Sequence, residues 1–172
     1  MIEFTFDAKR EEKLKKELAA MLGPGVDDVF TSRKALFADG EFTEVFLIDE
    51  KILKVISSMK TNPYSAGLFI AKVAGKEVTP SLQLLHQLKP SKTVVVSPKA
   101  EQEFLYGKHV VSREVVWSSP LLGKEMVVVC NEADEKLGYG VALTNSDIMR
   151  KLGGEVVVRN ICDLGWYLRL GD

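Results

Sequence analysis

Lys108 and His109 directly follow Gly107 in the stretch EFLYGKHVV, at a point where a glycine that ends a helix lets the backbone approach a ligand closely. The two side chains are either the edge of a binding site or ordinary solvated surface. Other reactive groups carry less. NEADEK, residues 131 to 136, gathers carboxylates but lacks the alternating oxygens and the glycine of a calcium loop, so a solvated turn between strands is expected. LGYGVAL around Gly138 and Gly140 begins as a dinucleotide fingerprint does, yet Leu143 stands where the third glycine or alanine belongs. His86 lies on a leucine-rich segment with no cysteine or second histidine nearby. Cys130 and Cys162 are 32 positions apart with no C-x-x-C pairing, which reads as reduced core residues rather than a zinc site or a disulfide. With no G-x-S-x-G elbow, no Walker loop and no H-E-x-x-H, the chain reads as a non-enzyme with no metal and no cofactor.

The elements that must position these residues follow from patterning. Residues 2 to 6 alternate as a strand does, Asp7 offers a helix N-cap, and Leu14, Leu18, Met21 and Leu22 share one helical face until Gly23-Pro24. Val29-Phe30, Ala35 to Phe37 and Val45 to Ile48 read as strands, the last two joined by a hairpin turn at Asp39-Gly40. Asp49 caps a helix whose Ile52, Leu53, Val55 and Ile56 form an apolar face, and Gly67 to Val73 returns to strand. Thr79-Pro80 reads as a cap with proline at the first helical position, followed by Leu82, Leu85 and Leu88. QLKPSK, residues 87 to 92, ends that helix, and the texture changes there.

From Thr93 onward the chain is a series of short β-branched runs: VVV at 94 to 96, VV at 110 to 111, VVW at 115 to 117, MVVVC at 126 to 130, GVAL at 140 to 143, VVV at 156 to 158 and WYLRL at 166 to 170. Short strands between turn signals predict a small barrel or sandwich. Ser97 as N-cap, Pro98 at the first position and Gly107 as terminator predict a helix over 98 to 106, with Ala100, Phe104 and Leu105 expected to face the barrel. The expected fold is therefore α+β: an N-terminal mixed α/β domain at 1–90 and a β domain at 91–172.

Composition limits the partners. The 172 residues are 46% hydrophobic and 27% charged, enough for a core, and no run of 18 apolar residues suggests a membrane span. MIEFTFDAKR is charged and amphipathic rather than a signal peptide, so an intracellular location is expected. Net charge is −1, with 13 basic and 13 acidic residues before position 91 and 10 and 11 after it. A nucleic-acid ligand would have to be held by a local patch, because no whole-domain basic field exists.

The segment SPKAEQEFLYGKHVV resembles the large-subunit ribosome-biogenesis family named for nuclear import protein seven. DEKILKV and SAGLFIAKV before it, and VVVCNEADEKLGYGVAL and EVVVRNICDLGWYLR after it, extend the likeness in order from about residue 45. The resemblance implies an N-terminal pre-PUA domain followed by a PUA-type β pseudobarrel. It also implies a non-catalytic RNA-binding factor that joins precursor large subunits. Expected partners are ribosomal RNA or its precursor, the pre-ribosomal particle and other assembly factors, with no small-molecule substrate. Carried over residue by residue, the RNA surface of such domains falls on Lys99, Gly107, Lys108, His109 and Arg113. A second basic set, Arg150, Lys151 and Arg159, comes from IMRKLGGEVVVRN, and Lys136 precedes LGYG. His109 or Tyr106 would stack on an unpaired base. The chain lacks the polar tail of eukaryotic members, so an archaeal, cytoplasmic member is expected, nucleolar only for a eukaryotic source. Two other readings remain open, a protein-interaction adaptor in ribosome assembly and an RNA-modification protein.

Overall fold

The computed structural model describes residues 4–58 and 66–169. The chain divides into two compact units: one holds the residues up to Ala20 together with Pro24–Lys89, the other Met21–Gly23 together with Pro90 onward. Residues 2, 3 and 170, on which parts of the expected strands fall, lie outside the described residues.

In the first unit, β1 (Phe4–Phe6), β2 (Arg33–Asp39), β3 (Thr43–Asp49), β4 (Leu68–Ala74) and β5 (Glu77–Pro80) form an antiparallel meander in chain order. Consecutive residues Ala35–Ala38 and Val45–Ile48 are buried, so β2 and β3 are covered on both faces rather than on one. Helix α1 (Ala8–Leu22) starts on Asp7, whose Oδ1 accepts from the Lys9 and Arg10 amides at 2.8 and 3.1 Å. Leu14 and Leu18 form its buried face. The expected hairpin at Asp39-Gly40 forms, with Asp39 opposite Thr43.

Three expectations change here. Val29 is not in a strand: it ends a short helix, α2 (Gly25–Val29), because Val26 and Val29 are buried one turn apart and Asp27 and Asp28 occupy the first turn. The apolar face of α3 (Glu50–Ser58) is only partly used, since Ile52 and Val55 are 53% and 60% exposed. The cap of α4 (Leu82–Gln87) is Ser81 rather than Thr79. Its hydroxyl accepts from the Leu84 amide at 3.1 Å and donates to the Phe69 carbonyl at 2.7 Å, while Pro80 pairs with Ala71 as the last residue of β5.

The second unit is a six-stranded, nearly closed sheet made of β6 (Thr93–Val96), β7 (Val110–Val111), β8 (Val115–Ser118), β9 (Met126–Cys130), β10 (Lys136–Ala142) and β11 (Val156–Asp163). Their order is β7-β11-β10-β9-β6-β8, antiparallel except for the parallel pair β6 and β9. Helix α5 (Pro98–Leu105) plugs the interior with Ala100 and Phe104, among Val94, Val129, Val157 and Met149. Met149 comes from the short α6 (Ser146–Met149). The run WYLRL is not a strand: Trp166–Arg169 is a helical turn, α7, and it returns the Arg169 guanidinium to Asp163. Among the described residues no helix is long and apolar enough to cross a membrane.

Candidate nucleic-acid interface

Helix α5 positions the first basic group. The Ser97 Oγ accepts from the Ala100 amide at 3.3 Å as the N-cap and donates to Glu114 Oε2 at 2.5 Å. Glu114 lies in the one-turn 3-10 segment Ser112–Glu114 that links β7 to β8, with its side chain 13% exposed. Its other oxygen faces Lys99 Nζ at 3.4 Å and Arg113 Nε at 3.6 Å. The Ser97 hydroxyl above all, then Lys99 and Arg113, hold the Glu114 carboxyl below its ordinary range against the opposing effect of burial. One shielded carboxylate thus fixes two exposed cations.

A third cation joins from the far end of the sequence. Arg150, the C-cap of α6, donates from Nη1 to the Val116 carbonyl of β8 at 3.2 Å. The loop after it is tied to the same 3-10 segment, because the Gly154 amide donates to Ser112 Oγ at 2.9 Å and the Ser112 amide to the Glu155 carbonyl at 2.8 Å. Lys99, Arg113 and Arg150 therefore converge on residues 112–116, with exposed Lys151 next along the chain. Trp117, half exposed on β8 beside this group, passes in the sequence for plain β-branched strand material. Nothing in a run such as VVW shows which of its residues faces water.

The second group sits at the other end of α5. The Gly107 amide bonds the Phe104 carbonyl and the Lys108 amide the Glu103 carbonyl, at 2.9 and 3.0 Å, a Schellman closure that needs the left-handed φ of +85° at Gly107. Lys108 Nζ lies 3.5 Å from Glu103, and His109 Nδ1 accepts from the Asn160 amide at 3.3 Å. Asn160 Nδ2 bonds the Phe104 carbonyl at 2.9 Å, so the residue next to Arg159 ties β11 to the end of the helix. Exposed Tyr106, 77% accessible, flanks the glycine, and Trp166 and Tyr167 form an edge-to-face pair with centroids 5.2 Å apart on α7. Arg169, which donates to the Leu105 carbonyl, approaches Gly107 within 3.3 Å of the place a Cβ would take.

Lys136 joins neither group; it opens β10 opposite Cys130. The glycines after it serve packing. A Cβ on Gly138 would overlap the Cys162 carbonyl, and one on Gly140 the Arg159 carbonyl, so LGYG is the seam where β11 crosses β10 closely. NEADEK folds as a turn around Asn131, whose Oδ1 accepts from the Ala133 and Glu135 amides at 3.0 and 2.9 Å. Burial pushes the Cys130 thiol up to about 11, which keeps it protonated. Among the described residues no three His, Cys, Asp or Glu side chains come together as a metal cage would need.

Residues 92–172 match the family described as UPF0113 PUA domain, and residues 6–82 match the NIP7/UPF0113 pre-PUA domain. The UPF0113 protein of Aeropyrum pernix is 30% identical over 94% of this chain and 89% of its own length, and that of Archaeoglobus fulgidus 31% over 93% and 91%. The chain belongs to the NIP7/UPF0113 family. A eukaryotic relative, the 60S ribosome subunit biogenesis protein NIP7 homolog of Xenopus laevis, is 34% identical over 74% of each chain. A conserved PUA domain protein from Thermoplasma acidophilum shares the fold across 95% of both chains, with a TM-score of 0.68 at 17% identity.

Proposed function

We propose that this NIP7/UPF0113 chain is a non-catalytic RNA-binding factor of large-subunit ribosome assembly, with the PUA domain of residues 91–172 contacting precursor ribosomal RNA. The observation that carries this reading is the convergence of Lys99 and Arg150 with Arg113 on residues 112–116, with half-exposed Trp117 the next residue of β8. Cations placed so can hold phosphates while an aromatic face takes an unpaired base. Lys151 extends this group, and Gly107, Lys108, His109 and Arg159 supply a second contact at the other end of α5. The name of the Xenopus laevis relative supplies the process, large-subunit biogenesis. The partners are then the pre-ribosomal particle and its other assembly factors, met in the cytoplasm, and residues 1–90 act as a separate domain.

Fluorescence anisotropy with single-stranded ribosomal RNA fragments tests the reading. Arg150→Ala, Lys151→Ala and Arg159→Ala together should weaken binding, and each lost phosphate contact should flatten the salt dependence by about 0.7 in slope. Wild-type protein with no affinity for RNA, or a triple variant unchanged in affinity and slope, overturns it.

A second reading rests on the first unit. Phe6, Ile52 and Val55 are large apolar side chains left half exposed or more there, as suits an adaptor that binds another assembly protein. Pull-down of assembly factors by the first unit's surface, lost in Ile52→Asp/Val55→Asp while RNA affinity is kept, is the result that separates it from the first reading.

A further inference from the structure

The first unit carries a cleft of about 360 Å³ that the PUA reading does not use. It lies between α1 and the β4–β5 hairpin, and its walls include Arg10, Lys13, Leu14, Phe37, Lys76 and Val78. Arg10 is held from three sides. Nη1 and Nη2 bond Asp39 Oδ2 and Oδ1 at 2.9 and 2.8 Å, Nη2 also reaches Thr43 Oγ1 at 3.4 Å, and the guanidinium lies 4.3 Å from the centroid of the Phe37 ring. One face of a planar cation is thereby fixed on an aromatic ring, and the residue still lines open space. A guanidinium plane with no freedom left to lose is a good stacking surface for a nucleobase.

The rest of the cleft fits the same occupant. Leu14, Phe37 and Val78 give an apolar floor, and the volume falls in the range of small-ligand sites. Lys13, which meets Glu17 only at 3.8 Å, and exposed Lys76 stand at its rim, and Gly75 between the hairpin strands has no heavy atom within 4 Å of where a Cβ would sit. Asp39 balances Arg10, and Glu17, which also lines the cleft, faces Lys13 across 3.8 Å on the exposed side of α1, so the positive charge left for a ligand is that of Lys76 and of a loosely paired Lys13, separated from the flat surface as phosphate is from base.

We infer that this cleft is a second RNA site, which takes one nucleotide of a single strand with its base on Arg10 and its phosphate between Lys13 and Lys76. The inference rests on the chain being an RNA binder, but not on which face of the second unit makes contact. An acidic peptide would use the lysines without needing the stacking surface or the apolar floor.

The test is titration of isotope-labelled full-length protein with a single-stranded octaribonucleotide, followed by amide chemical shifts, with an oligoglutamate peptide in a parallel arm. Expected are shifts at Lys13, Gly75, Lys76 and Val78 with the RNA alone, and an affinity about tenfold lower in Lys13→Glu/Lys76→Glu, as two phosphate contacts are reversed. Both positions are exposed, so the variant's spectrum should stay that of the folded protein. RNA shifts confined to residues 91–172 overturn the second site and leave the PUA reading standing. Shifts in the cleft with the peptide but not with RNA overturn it in favour of a protein partner, and no RNA shifts anywhere overturn both readings.

Discussion

The guanidinium of Arg169 grips the carboxylate of Asp163 in a two-point bond, Nη1 to Oδ1 at 3.0 Å and Nη2 to Oδ2 at 2.8 Å. Asp163 is buried, and Arg169 also bonds the Leu105 carbonyl at the end of α5. Arg169→Ala removes the main charge partner of a buried carboxylate and should lower the denaturation midpoint of the second unit. Urea denaturation followed by the fluorescence of Trp117 and Trp166, the chain's two tryptophans, measures this; an unchanged midpoint would show the clamp to be incidental.

Gly140 allows β11 to cross β10, since a Cβ there would overlap the Arg159 carbonyl and lie 2.8 Å from Val158 Cγ1. Gly140→Ala should cost more than about 2 kcal/mol or block folding of the second unit. Gly153, with nothing within 4 Å of its Cβ position, is the control: Gly153→Ala should change thermal stability by less than about 0.5 kcal/mol.

Asp39 is held at about 2 by its bonds to Arg10, then to Thr43. A carboxyl whose folded pKa is depressed contributes its full stability above the unfolded value of about 3.9 and loses it as the pH falls toward the folded value. Melting temperature of the wild type should therefore fall between about pH 4 and pH 2 more steeply than that of Asp39→Asn. Parallel curves for the two proteins would refute a contribution from this pair.

Glu114 neutralises part of the charge that Lys99 and Arg113 offer a ligand. Glu114→Gln keeps an acceptor for the Ser97 hydroxyl and removes one negative charge. RNA affinity should rise by up to about fivefold, the value of about 1 kcal/mol for one charge at 4 Å in water, and fade with added salt. Unchanged affinity at low salt would place the RNA elsewhere.

Much of the second unit was legible because its signals are local. Ser97 and Pro98 mark the start of α5, Gly107 its end, and MVVVC coincides with β9, since caps and β-branched runs act over a few residues. Trp166–Arg169 misled because aromatic residues favour strands, and the turn shows only in the bonds Arg169 makes to nearby Asp163 and to the distant Leu105 carbonyl. Thr79-Pro80 misled because a proline after a threonine also fits the end of a strand, and the pairing of Pro80 with Ala71 moves the cap to Ser81. The basic groups were legible as residue types alone. That Lys99 and Arg113 share Glu114, while Lys136 joins neither group, depends on contacts between segments far apart in sequence.

Among the described residues strand β8 ends the order of the six-stranded sheet, so its outer carbonyls have no neighbouring strand there to accept from. Such an edge is a template on which a second molecule can add a strand and start aggregation. The Arg150 guanidinium on the Val116 carbonyl occupies one acceptor that an incoming strand would need. Long basic side chains are a common guard at sheet edges, and here the guard is also one of the cations gathered at the proposed RNA surface. Removing it would expose a site for self-association at the same time as it weakened a ligand contact.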